Sequence, residues 1–141
     1  MGSDVCHLQA VFGIFDGHGG AKAAEFAAEK LDKNILEEVL RTDIEDQIED
    51  AVKRGYLNTD SEFLKEDVYG GSCCVTALIQ NGTLVVSNAG DCRAVMSRGG
   101  LAEALTSDHR PSREDEKSRI ETMVSIWLLD CINLSLCLNL M

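Results

Sequence analysis

The chain is short, apolar enough to fold and strongly acidic. Its 141 residues suffice for one domain or part of one, and 45% hydrophobic against 26% charged residues is typical of a globular protein. The formal net charge of −11 repels nucleic-acid phosphates and anionic lipids, so we expect no binding to nucleic acid or to a membrane. No C-x-x-C pair and no secretory signal are visible, which predicts an intracellular location in the cytoplasm, the nucleus or both.

The first notable stretch is AVFGIFDGHGG, residues 10–20, in which an apolar run ends at an acid and a base. Residues 8–15 predict a buried strand that would deliver Asp16 and His18 to a tight turn. Gly17 allows close approach of the backbone, so that its carbonyl could bind an ion, and an imidazole exchanges protons near neutral pH. From these residues alone, a metal-binding turn and an ordinary strand-to-helix turn with a capping Asp are equally compatible.

Two amphipathic helices are predicted next. Apolar residues recur at helical spacing from residue 21 to about residue 40. Thr42 and Glu45 form a capping box that would begin a second helix, whose apolar stripe includes Tyr56. The acidic residues in the first turns of this helix complement its dipole, so we interpret them as structural rather than as a metal site.

Four short strands joined by tight turns are predicted between residues 72 and 105. Asn81-Gly82 is the strongest short hairpin signal in the chain, and the strands on either side of it are apolar on both faces, which predicts a covering layer on each side. Together the strands would form an antiparallel meander. The predicted strands are residues 72–80, 83–87, 92–98 and 101–105.

The C-terminal part divides into a charged helix and an apolar tail. Ser112, with Asp115 three residues later, predicts a helix that runs to about Met123. Residues 124–141 then alternate large apolar side chains with small or polar ones, which is typical of a strand. This tail is too short and too polar for a membrane span, and without a partner strand it would be an aggregation-prone edge.

Four segments together resemble the metal-dependent type 2C protein serine/threonine phosphatases, especially the plant members. Their order and spacing are similar to the family over roughly residues 8–123. The resemblance implies an α+β fold, namely a partial α-β-β-α sandwich of antiparallel sheets flanked by helices. It also implies a partial phosphatase-like domain at residues 1–123, truncated at both ends, and an unmatched apolar tail at residues 124–141. The four segments are residues 11–20, 70–77, 88–95 and 107–111.

The resemblance further implies a site on the Asp-Gly-His segment. Asp16 would bridge two Mg²⁺ or Mn²⁺ ions, the Gly17 carbonyl would be a second oxygen ligand, and Asp91 would serve a third, weaker metal site. His18 would be the general acid that protonates the leaving serine or threonine oxygen, while a metal-bound hydroxide attacks phosphorus. The implied substrates are phosphoserine and phosphothreonine proteins, and the implied role is signalling by dephosphorylation.

The other polar residues of these segments have ordinary structural explanations. Asp91 follows a glycine in a turn, where Asp is common, so its role as ligand or as turn residue stays open. We expect Arg93 and Arg110 to pair with nearby carboxylates rather than with substrate. His109 is interpreted as structural because it lies in a loop that leads into a helix.

Several family ligands have no counterpart in this sequence. The family's phosphate-binding arginine and its acidic neighbour, and the later metal-binding aspartates, are not matched, so Asp16 is the one core metal carboxylate identified. The first hypothesis is therefore a protein serine/threonine phosphatase by resemblance. The alternatives are a catalytically inactive, truncated form that docks a protein kinase or another partner, and a fragment without a stable fold.

Overall fold

The structure is a computed structural model that describes residues 9–42 and 47–127. Within these ranges the chain forms five strands and three helices. Antiparallel sheets with flanking helices confirm the predicted α+β class. No helix in the described ranges is both long enough and apolar enough to cross a bilayer. The elements are β1 (Gln9–His18), α1 (Lys22–Leu40), α2 (Ile48–Phe63), β2 (Gly71–Gln80), β3 (Thr83–Ala89), β4 (Val95–Arg98), β5 (Leu101–Ala104) and α3 (Glu114–Trp127).

The central feature is a three-stranded antiparallel sheet in the order β1-β2-β3. Strand β2 lies in the middle, where Cys74 pairs with Phe15 on one side and with Ala89 on the other. The predicted hairpin is confirmed: Asn81 and Gly82 have φ values of 49° and 80°. Two consecutive positive φ angles give the turn a twist that matches the flanking strands.

The core lies between this sheet and the two long helices. Helices α1 and α2 pack against each other and against one face of the sheet, and both present the apolar stripes that the sequence predicts. The buried apolar residues are Ala23, Ala27, Leu31, Ile35, Val39, Ile48, Ala51, Val52, Tyr56, Phe63, Cys74, Leu78 and Ala89.

A buried carboxylate joins the two helices. Glu38 accepts hydrogen bonds from Arg54 Nε at 2.7 Å, Arg41 Nη1 at 3.0 Å and Asn58 Nδ2 at 3.2 Å. The hydrogen bond from Arg54 is the main cause that lowers the pKa of this carboxyl. Because the charge is both paired and hydrogen-bonded, its burial is compatible with a stable helix pair.

The opposite side of the sheet carries a second apolar surface, which we call the open face. Side chains alternate along each strand, so the residues next to those that face the helices point to this side. The prediction that both faces are covered is therefore confirmed for the helix side. On the other side the described residues provide no covering layer, and Phe12 and Ile14 are 61% and 68% exposed. The open face is formed by Phe12, Ile14, Val75, Ile79, Leu84 and Val86.

Two predictions about strands are wrong. Strand β1 does not end before the acid and the base, because pairing with β2 continues as far as His18 opposite Gly71. The four-stranded meander is also not formed: β4 and β5 make a separate two-stranded sheet. The chain leaves the first sheet after β3, where Asn88 bonds to the backbone of the following turn.

Some predictions fall outside the described residues. The predicted capping box runs from Thr42 to Glu45 and the predicted tail from residue 124 to residue 141, of which residues 43–45 and 128–141 are not described. Thr42 itself donates its hydroxyl to the carbonyl oxygen of Glu38 at 2.8 Å. Helix α3 continues to Trp127, four residues beyond the predicted end at Met123. The division of the chain at residue 123 stays a prediction.

Candidate active site

Asp16 and His18 lie on the last part of β1. Phe15 packs into the core on the helix side. Because side chains alternate along a strand, Asp16 projects to the open-face side, and so does His18 two residues later. Asp16 pairs with Cys73 across the strands, and both the acid and the base are exposed. The structure thus places a carboxylate and an imidazole two residues apart on the same side of one strand.

The imidazole of His18 rests on the backbone of its partner strand. A Cβ added at Gly71 would overlap Nε2 of His18 and would lie 2.8 Å from its Cε1. Glycine at this position therefore leaves the space that the ring occupies. The contact explains why the residue opposite the base carries no side chain.

A second polar segment begins where β3 ends. The buried Asn88 amide donates to the carbonyl oxygens of Gly90 at 3.2 Å, Cys92 at 3.3 Å and Ser107 at 3.3 Å. One side chain thereby holds both the turn after β3 and the loop before α3. The backbone N–H of His109 donates to the Gly90 oxygen at 2.9 Å, which agrees with a structural position for this residue.

This turn brings Asp91 to the same end of the sheet as Asp16. Gly90 has a φ of 84° and lies directly against the side chain of Cys73, the pairing partner of Asp16. Burial raises the pKa of the Cys92 thiol, and the nearby Cys73 thiol and the charges of Asp16 and Asp91 raise it further. The contact between Gly90 and Cys73 therefore places the turn that carries Asp91 beside the strand position opposite Asp16.

An arginine pair encloses a third carboxylate beside this turn. Asp108 accepts hydrogen bonds from Arg93 Nε at 2.7 Å and Nη2 at 2.9 Å, and Arg110 Nε lies 3.1 Å from it. The Arg93 guanidinium is the main cause that lowers the pKa of the Asp108 carboxyl. Arg110 also lies 3.6 Å from Asp91. The predicted pairing of both arginines with carboxylates is confirmed, and the ion-pair partner of Asp91 lies in the loop before α3.

The oxygen ligands of this site are of the type that divalent metals prefer, but the described residues supply too few of them. Carboxylates of Asp16 and Asp91 and the Gly17 carbonyl are the hard oxygens that Mg²⁺ and Mn²⁺ prefer. Across residues 9–42 and 47–127, however, no three side chains of His, Cys, Asp or Glu converge on a possible cation position. Because Mg²⁺ takes about six ligands in octahedral geometry, the described residues do not by themselves form a two-metal centre.

Sequence reasoning missed two residues that build this region. Asn88 holds the turn and Asp108 holds two arginines, and each has one partner that is distant in sequence: Ser107 for Asn88 and Arg93 for Asp108. The available signal was an Asn near the end of an apolar strand and two residues before a glycine, a position where a buried amide can satisfy turn carbonyls. The roles of Asp16, Gly17, His18 and Asp91 stay predictions.

Fold and site together define an α+β protein with an exposed acid and base at the end of one sheet strand. A family model described as Protein phosphatase 2C matches residues 5–125. The match covers most of the sequence, so the chain belongs to the protein phosphatase 2C family, whose members are metal-dependent. The resemblance that the four sequence segments predict is thereby confirmed.

Relatives and solved structures agree with this assignment. Probable protein phosphatase 2C 25 of Arabidopsis thaliana is 71% identical over 115 residues, which are 81% of this chain and 29% of that relative. The solved structure of a C. elegans sex determining protein is similar with a TM-score of 0.73 and 29% identity, over 81% of this chain and 29% of that one.

A second solved structure is a serine-threonine phosphatase 2C from Toxoplasma gondii. It has a TM-score of 0.54 and 30% identity, over 81% of this chain and 44% of that one. This chain spans about a third of the length of the curated relatives it matches.

Proposed function

We propose that this chain carries part of the active site of a protein serine/threonine phosphatase, which removes phosphate from phosphoserine and phosphothreonine proteins. The observation that supports this most is the exposed pair of Asp16 and His18, on one side of one strand in a member of the phosphatase 2C family. Nearby, Asp91 adds a second exposed carboxylate at the same end of the sheet.

The proposed roles follow from the chemistry of these groups. The Asp16 carboxylate and the Gly17 carbonyl would contact Mg²⁺ or Mn²⁺, of which the complete family site holds two, and Asp91 would contact a third, weaker site. When bound, such ions lower the pKa of water and so supply a nucleophile. His18 would hold a proton and donate it to the leaving serine or threonine oxygen.

An assay with matched variants tests this proposal. Phosphate release from a phosphothreonine peptide is measured with and without Mn²⁺ for the wild type, Asp16→Ala and Asp32→Ala. Asp32 is an exposed carboxylate of α1 and serves as the control. We expect Mn²⁺-dependent hydrolysis that Asp16→Ala abolishes and Asp32→Ala retains.

His18→Gln separates the proton donor from the metal ligand in the same assay. Loss of a general acid slows the chemical step by about a hundredfold or more, while Mn²⁺ binding should persist. Equal rates for the wild type, Asp16→Ala and His18→Gln in folded protein would contradict the phosphatase proposal.

The donor count favours a second candidate, a module that binds a partner without catalysis. Described residues supply too few ligands for two ions, while helices α1 and α2 form an ordered core. A partner of this kind would be a protein kinase or another signalling protein, inside the cell. A folded chain that neither hydrolyses the peptide nor binds Mn²⁺ would support this candidate over the enzyme.

A further inference from the structure

Strand β3 is the last strand on one side of the three-stranded sheet. Within the described ranges its one neighbour in the sheet is β2, which pairs with it from Cys74 opposite Ala89 to Gln80 opposite Thr83. The side of β3 that faces away from β2 therefore carries backbone N–H and C=O groups that no other described strand pairs. Such an edge is a template on which one more strand can be added.

The hairpin turn determines which backbone groups point outward. The two-residue turn Asn81-Gly82 closes on Gln80 and Thr83, so these two residues exchange hydrogen bonds across the strands. Hydrogen-bonded and non-hydrogen-bonded pairs alternate along an antiparallel ladder. The N–H and C=O groups of Leu84 and Val86 consequently point away from β2, toward the free edge.

A cavity of about 580 Å³, which we call the edge cleft, lies beside this free edge. Residues 83–88 of β3 line one side of it, the start of α2 lines another, and the loop that contains Leu105 and His109 lines a third. Clefts of this size bind small ligands or short peptide segments. The free backbone groups of β3 and the space that a further strand needs therefore occur at the same place.

The side chains around the edge cleft define the partner that fits it. Helix α2 contributes Glu49, Asp50 and Lys53, all exposed, so the charges from this helix leave one negative charge over. Leu84 and Val86 belong to the open-face side of β3, away from the helices, and Leu84 is 48% exposed. Because side chains alternate along a strand, one set in an added strand would contact Leu84 and Val86 and the other would lie near α2. Apolar residues suit the first set, and Lys or Arg suits the second.

We propose that the edge cleft binds an extended segment of a partner protein, which is added antiparallel to β3 and alternates apolar with basic side chains. Antiparallel pairing is slightly more stable per residue than parallel pairing, and the net charge of −11 on the chain favours a cationic partner. The main-chain hydrogen bonds would supply affinity, and the alternating side chains would supply specificity. The inference goes beyond phosphatase activity, because Asp16, His18 and Asp91 do not line the edge cleft.

Amide hydrogen exchange in the full chain tests the contact, with a synthetic peptide of alternating valine and lysine as the probe. In the free protein the amides of Val85 and Ser87, which face β2, should exchange slowly and those of Leu84 and Val86 rapidly. We expect a saturating concentration of peptide to slow exchange at Leu84 and Val86 by at least about tenfold and to leave Val85 and Ser87 unchanged. No binding, or binding that leaves Leu84 and Val86 unprotected, would overturn the proposal.

Methylation of the peptide backbone separates strand addition from simple attraction of charge. Residues that exchange hydrogen bonds across an antiparallel pair lie opposite each other and share a face, so the valine N–H groups would face Leu84 and Val86. We expect N-methylation of the valines to weaken binding by about tenfold or more, and N-methylation of the lysines to change it by less than about twofold. Equal affinities, or the reverse order, would contradict the proposal because both peptides carry the same charge.

Neutral variants of the protein test the basic part of the recognition. Glu49→Gln together with Asp50→Asn should weaken binding of the unmethylated peptide by about fivefold. Glu25→Gln together with Glu29→Gln removes the same charge from exposed positions on α1 and should leave binding nearly unchanged. Equal losses in the two double variants would show attraction to the overall charge of the chain and would argue against recognition in the edge cleft.

Discussion

Tyr56 joins helix α2 to two strands of the sheet through one hydroxyl. The residue is fully buried, its hydroxyl lies 2.8 Å from Thr76 Oγ1, and it donates to the Ser87 carbonyl oxygen at 3.3 Å. Burial raises the pKa of this phenol, so the hydroxyl stays protonated. Tyr56→Phe removes the hydroxyl and changes little else in the shape of the core.

The cost of this substitution follows from the groups left behind. A hydrogen bond contributes about 1 kcal/mol net, and a buried partner that loses its bond costs about 1–3 kcal/mol. Thr76 is 4% exposed, and its hydroxyl would lose its hydrogen bond to Tyr56 without gaining one to water. We therefore expect Tyr56→Phe to lower the free energy of unfolding by about 2 kcal/mol. Thr76→Val should cost about 1 kcal/mol, because the phenol keeps its bond to Ser87.

Urea denaturation of the four proteins in a double-mutant cycle measures the coupling. Removing both hydroxyls leaves neither group unsatisfied, so Tyr56→Phe with Thr76→Val should cost about 1 kcal/mol less than the sum of the single changes. Tyr69→Phe is the control, since Tyr69 is 73% exposed. Additive single changes, or a loss in Tyr56→Phe no larger than that in the control, would refute this account of the core.

Two further predictions concern a close backbone contact and a half-buried carboxyl group. Gly90→Ala should lower the free energy of unfolding by at least about 1 kcal/mol more than the control Gly100→Ala. The two glycines have similar φ values of 84° and 80°, so the backbone strain is similar in both variants. The new Cβ at residue 90 would in addition overlap Cys73, whereas the one at residue 100 meets no atom within 4 Å. Equal losses in thermal denaturation would show that this overlap is absent. Burial raises the pKa of Asp60 from 3.8 to about 6. Between these values the folded protein holds a proton on Asp60 that the unfolded chain does not, so the contribution of Asp60 to stability falls as pH rises from about 4 to 6. Asp60→Asn should remove this decrease and stabilise the fold at pH 7 by about 1 kcal/mol, less than the full shift implies because the side chain is partly solvated. Glu66→Gln should keep the decrease, and a pH profile unchanged by Asp60→Asn would be the contrary result.

Local sequence signals predict the parts of the fold that depend on neighbours in the chain. The Asn81-Gly82 turn forms because both residues tolerate positive φ. Helix α1 begins and ends within one residue of the apolar repeat that predicts it. Asp16 and His18 can be identified as candidate site residues because an acid-glycine-base sequence follows an apolar run. In each case the physical cause lies within a few residues.

Contacts between distant residues account for what the sequence did not show. The end of β1 depends on how far β2 pairs with it, and this pairing continues to His18 and Gly71. The expected meander is divided into two sheets, and at the point of division Asn88 donates to a carbonyl oxygen 19 residues away, at Ser107. The Arg93–Asp108 pair likewise spans 15 residues. No local pattern specifies such partners, so periodicity predicts the strands but not their grouping into sheets.

The most direct test of the central claim is to locate Mn²⁺ on the folded chain by paramagnetic broadening of amide NMR signals. We expect weak binding that broadens the amide signals around Asp16 and Gly17 and extends to Asp91. This broadening should vanish in Asp16→Ala and persist in Asp32→Ala. Broadening centred on the acidic start of α2, or a pattern that Asp16→Ala leaves unchanged, would show that the end of β1 is not the metal-binding element.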